Sequence, residues 1–76
     1  MEAERWARSA LEYALRTDFI VPQGETRLDL ARVLEAAGRP DEAAVEARAA
    51  LELFEHKGDQ PRTAEARTFL AAIINP

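Results

Sequence analysis

Residues 38–58 read GRPDEAAVEARAALELFEHKG. A proline near the start and glycines at both ends bracket a run dominated by alanine, leucine and glutamate, all strong helix formers. Pro40 suits the first helical position, because its missing N–H would have no partner there. Asp41 and Glu42 put negative charge at the N-terminal end, and His56 and Lys57 put positive charge at the C-terminal end, as the helix dipole favours. Gly58 supplies the stop. The segment therefore predicts a helix over about 41–57. Within it Ala43, Ala47 and Ala50 recur at steps of four and three, which places them on one face. Small residues at that spacing let two helix backbones approach closely, so the stretch predicts a helix-crossing seam.

Three further stretches carry the same period. Ala3, Trp6, Ala7, Ala10, Leu11 and Ala14 mark a helix over about 2–17. Pro22 and Gly24 read as breakers that delay the next helix to about 25–37, with Glu25 in its first turn and Gly38 as a left-handed C-terminal cap. That helix carries Leu28, Leu30, Ala31, Val33, Leu34 and Ala37 on its apolar side. A fourth helix over about 61–74 has Asp59 as its cap and Ala64, Phe69, Leu70, Ile73 and Ile74 as its apolar residues. Nothing alternates with period two, so residues 1–76 are expected to form one all-α domain of four antiparallel helices.

A chain of 76 residues buries only about 60% of its unfolded surface. It has no cysteine, which excludes disulfides and thiolate metal sites. No apolar run is long enough for a membrane span or a signal-peptide core, so a cytoplasmic location without membrane contact is the expectation. Fourteen acids against ten bases give a net charge of −4, which makes nucleic acid a poor partner. Nine of the ten bases are arginine. With the abundant alanine, that usage looks like translation of a GC-rich bacterial genome.

The chain also repeats itself. Displaced by 40 residues, Glu2, Ala3, Ala7, Arg8, Ala10, Leu11 and Glu12 fall on identical residues at 42, 43, 47, 48, 50, 51 and 52. The same displacement carries Glu25, Arg27, Leu30 and Ala31 onto Glu65, Arg67, Leu70 and Ala71. The first and third helices are thus equivalent, as are the second and fourth, and the alanine seam is expected twice, at Ala3, Ala7 and Ala10 as well.

The spacing of Leu30-Ala31, Leu34, Gly38, Ala43 and Ala50-Leu51 resembles a tetratricopeptide (TPR) repeat over about Gly24 to Lys57. The resemblance implies a TPR-like α-solenoid fragment in which the first helix is the second half of a preceding repeat and the last helix opens a following one. The sequence departs from the family pattern at Arg27, Pro40, Ala47 and Glu55, where an early tryptophan, two aromatics and a closing proline are usual. ALELFEHKGD and the helix after it are also similar to C-terminal repeat regions of large bacterial ATPase/cyclase-like and transcription-regulator proteins.

Catalytic chemistry finds little to work with. Ser9 and His56 are single and unframed by any motif, and Glu52, His56 and Asp59 lack the second histidine of a zinc helix. No catalysis, metal or cofactor is expected. The resemblance implies protein or peptide binding. On the second helix Leu28, Arg32 and Glu35 are the candidates, although the Lys and Asn pair with which one subgroup clamps a C-terminal carboxylate is replaced by Leu28 and Arg32. On the first helix Trp6 and Tyr13, followed by Phe19 and Ile20, are candidate anchors for a contact between copies, most simply a homodimer. The expected function is a protein–protein interaction or assembly module. The alternative is a regulatory or sensing domain of a larger signalling protein, binding a peptide, small ligand or nucleic acid.

Overall fold

The computed structural model describes residues 2–75. Its regular structure is four helices: α1 (Glu2–Ala14), α2 (Ile20–Ala36), α3 (Pro40–Lys57) and α4 (Gln60–Ile74). Each packs on the next in chain order. The pairs run antiparallel: Glu4 at the start of α1 meets Arg39 beyond the end of α2, Gly24 near the start of α2 meets Phe54 near the end of α3, and Glu55 late in α3 meets Arg67 in α4. The result is a slab of 30 × 27 × 15 Å.

The turns follow their local chemistry. Gly38 and Gly58 both adopt positive φ (78° and 76°), the left-handed backbone that lets a helix end and the chain reverse within two or three residues. The amides of Arg39 and Asp59 then bond back to the carbonyls of Leu34 and Phe54. Pro40 opens α3, and Asp59 caps α4 by accepting from the Arg62 amide at 3.2 Å. Between α1 and α2 no glycine is available. The last turn of α1 tightens instead to three-residue spacing (Arg16 N–H to Tyr13 O, Thr17 N–H to Ala14 O), and Gln23 Nε2 donates to the Thr17 carbonyl at 2.6 Å.

Two expected boundaries are corrected. α1 ends at Ala14, not Thr17, and α2 begins at Ile20, not Glu25. Pro22 lies in the first turn of α2, where an N–H has no intrahelical partner, so the ring costs no hydrogen bond. Gly24 is neither a break nor a boundary. It is buried inside α2, and the Phe54 ring occupies the space its side chain would need: a Cβ would lie 2.5 Å from Cε1. Glu25 is therefore not a first-turn residue; it pairs across to Arg62 on α4 at 3.1 Å.

The core joins Leu28, Leu30, Ala31 and Leu34 of α2 to Ala43, Ala47, Ala50 and Phe54 of α3, closed by Leu11 and Ala66. The three α3 alanines are 0% exposed, as a crossing seam requires. On α1 the seam is not closed: Ala3 and Ala10 are exposed and Ala7 is only half-buried, because no helix among the described residues crosses that side. On α4 the buried positions are Thr63 and Ala66, with Phe69, Leu70 and Ile73 partly covered, whereas Ala64 and Ile74 face solvent.

Candidate functional site

The 40-residue displacement that relates α1 to α3 makes their surroundings comparable position by position. On α3 the face formed by Ala43, Glu46, Ala47, Ala50, Leu53 and Phe54 meets its neighbours. Glu46 accepts a bond of 2.9 Å from Arg27 of α2, Leu53 is half-buried beside Gln23 and Arg27, and Phe54 lies on Gly24. The same positions on α1 are Ala3, Trp6, Ala7, Ala10, Tyr13 and Ala14. Ala14 is buried and Ala7 half-buried against the domain, but the other four are open, with Trp6 70% and Tyr13 72% exposed. Trp6 and Tyr13 are thus two aromatic side chains on one helix face, about two turns apart, interleaved with the exposed Ala3 and Ala10.

Glu4, at the inner edge of α1, fixes the helix to the domain. It accepts from Arg8 Nε at 2.8 Å and from Arg39 Nη1, and Arg39 also binds Glu42. The Arg8 hydrogen bond, with Arg39 behind it, holds the Glu4 carboxyl below its ordinary range, and the Arg39 hydrogen bond does the same for Glu42. The outer edge of the open face is charged differently. Glu2, Arg5, Glu12 and Arg16 are all exposed, and the only ion pair among them is Arg16 to Glu12 at a loose 3.7 Å.

The remaining sequence candidates fall elsewhere. Phe19, 67% exposed, stands at the N-terminal boundary of α2, and Ile20 beside it is half-buried. Leu28 is not at a rim: at 2% exposure it belongs to the core, because the i, i+3 step from Leu28 to Ala31 turns both inward. Arg32 is engaged by Asp29 at 3.3 Å and by Glu65 of α4 at 2.9 Å, with its guanidinium 6.0 Å from the centre of the Phe69 ring. Glu35 borders a shallow groove with Pro40, Phe69 and Ile73. Leu28 and Arg32 therefore do not form a carboxylate clamp. Ser9 and His56 sit apart, Ser9 on the exposed flank of α1 and His56 at the exposed end of α3.

The signal that identifies the open face was present in the sequence as the 3-6-10-13 spacing. The equivalent spacing on α3, at 43, 46, 50 and 53, is buried or half-buried, and it carries Glu46 and Leu53 where α1 has Trp6 and Tyr13. Among the described residues no helix is long and apolar enough to cross a membrane. The chain matches no protein-family model, no curated protein and no solved structure.

Proposed function

We propose that this chain is a protein–protein interaction module that self-associates through the open face of α1. The observation that carries the reading is the exposure of Trp6 and Tyr13 on one face of a helix whose internal counterpart is covered. Large aromatic side chains each offer about 150–250 Å² of surface, and they are typical anchors of protein contacts. Their exposure in a domain of this size leaves an unfilled apolar strip beside a polar rim, the composition of an interaction surface.

The architecture we propose is a short TPR-like α-solenoid of one and a half to two repeats. Its support is the α2–α3 hairpin, with Leu30, Ala31, Leu34, Ala43 and Ala50 inside and a left-handed Gly38 at its turn. The two ion pairs that join α2 to α4, Arg62–Glu25 and Arg32–Glu65, add to it, since first helices of successive repeats lie side by side in such arrays. Among the described helices none lies across the Ala3, Trp6, Ala10 and Tyr13 face of α1, which leaves that face open.

Sedimentation velocity of the wild-type chain and Trp6→Ala tests the function. The expected result is a dimer for the wild type and a monomer for the variant, with equal helical circular dichroism. A wild-type chain that stays monomeric up to about 1 mM, the limit of useful affinity, would overturn the reading.

A further inference from the structure

We infer that the partner seated on α1 is α1 of a second copy, and that the two helices run antiparallel. The inference rests on the self-association proposed above and specifies its geometry. Ala3, Trp6, Ala10 and Tyr13 follow the three- and four-residue steps of the first and fourth positions of a heptad. Two such stripes can face each other in parallel or antiparallel order, and the side chains distinguish the two.

In parallel order each residue meets its own copy. Trp6 would stack on Trp6 and Tyr13 on Tyr13, while Ala3 and Ala10 would face alanine across a gap. The aromatic layers would force the helices apart just where the alanine layers need them close. In antiparallel order the layers are Ala3 with Tyr13 and Trp6 with Ala10, each occurring twice by symmetry. Every layer then holds one large and one small side chain, so one interhelical distance suits all four. Large and small residues alternating across an interface in this way is how helices interdigitate at close range.

The flanks agree. On the outer flank of the stripe lie Glu2 and Ser9, one heptad apart, and Arg16 follows one heptad on, in the turn just past the end of α1. All three are exposed, and Arg16 makes only a loose 3.7 Å contact with Glu12, which leaves its guanidinium free to reach another helix. Antiparallel pairing sets this flank against its own copy, which brings Glu2 to Arg16 twice and Ser9 to Ser9 at the two-fold axis. Parallel pairing would instead set it against the inner flank, Ala7 and Ala14, and give Glu2 and Arg16 no opposite charge on the other helix. The alanines of the inner flank are small, so the domain that lies behind them does not hold the second helix away.

The absence of cysteine makes the test clean. Ser9→Cys and Ala3→Cys variants are treated separately with a short bis-maleimide after sedimentation has established their oligomeric state. Antiparallel pairing predicts a cross-linked dimer for Ser9→Cys. It predicts none for Ala3→Cys, whose copies lie about 15 Å apart along the axis at ~1.5 Å per residue. Parallel pairing reverses both results, because residue 3 then meets itself and residue 9 lies on opposite flanks. Ala10→Leu gives an independent readout at a position exposed in the monomer. It should weaken association about tenfold or more by crowding Trp6 of the other copy, whereas in parallel order it would fill a gap and strengthen it. Cross-linking through residue 3, a dimer that cross-links through neither residue, or tighter association of Ala10→Leu would each overturn the antiparallel arrangement while leaving self-association in place. A monomeric wild type would remove both.

Discussion

Gly24→Ala is the substitution for which local and tertiary physics predict opposite signs. Gly24 lies inside α2, and replacing a helical glycine by alanine ordinarily stabilises a helix by about 0.8–1 kcal/mol. Here the added Cβ would stand 2.5 Å from Phe54 Cε1, 2.8 Å from Cζ and 3.0 Å from Cδ1. The ring cannot turn outward to make room, because Phe54 is fully buried within the core cluster. Either the ring leaves its rotamer or α2 and α3 separate, and overpacking of this kind costs about 1–3 kcal/mol. With three ring atoms inside contact distance the upper half of that range applies, so the net effect is a loss of about 1–2 kcal/mol after the helical gain is subtracted. For a domain of this length, 1 kcal/mol corresponds to about 4–8 °C in Tm. Thermal and urea denaturation of four proteins measure it: wild type, Gly24→Ala, Phe54→Leu and the double variant. Gly24→Ala alone should lower Tm. In the Phe54→Leu background the same change should be neutral or stabilising, because the shorter side chain leaves room for the methyl, and the cycle should show coupling of about 1 kcal/mol or more. A rise in Tm for Gly24→Ala in the wild-type background would refute the reasoning, as would additivity of the two changes.

Ala50→Leu, at a fully buried seam position, should cost about 1–3 kcal/mol in chemical denaturation; unchanged stability would mean that the α3 seam is not closely packed. Gly38→Ala meets no atom within 4 Å, so its loss of about 1–2 kcal/mol in urea melts would come from the positive φ alone. The Glu4–Arg39–Glu42 cluster predicts an acid-sensitive attachment of α1. Pairing lowers the folded-state values of both carboxyls, so their contribution is in place above the ordinary value of 4.5 and is lost as pH falls through the lowered values. Tm of the wild type should therefore fall below about pH 4.5, while Arg39→Gln should start lower at pH 7 and lose less on acidification; parallel Tm–pH curves would contradict this.

The parts of the fold that were legible in the sequence are those decided within a few residues. Pro40, Asp41, Glu42, Lys57 and Gly58 each act on their own turn, and α3 begins one residue from its expected start and ends where it was expected to. The N-terminal end of α2 offered no such signals. Its N-terminal boundary is Phe19 with no side-chain cap, its first turn has no acid, and the two residues that read as breakers are harmless for reasons outside the local sequence. Pro22 escapes cost by its place in the first turn, which depends on where the helix begins. Gly24 is explained by Phe54, thirty residues away. The candidate site was half legible in the same sense. Ala3, Ala7 and Ala10 match Ala43, Ala47 and Ala50 residue for residue, yet one set is buried and the other largely open, because burial depends on whether a helix lies across it. What differs between the repeats is what stands beside the alanines. α3 has Glu46, which meets Arg27, and Leu53, which is half-covered; α1 has Trp6 and Tyr13. A polar residue placed to pair with a neighbouring helix belongs to a seam that the chain closes itself. Aromatic residues at the equivalent places, with no described helix across them, form the seam that the proposed self-association would close.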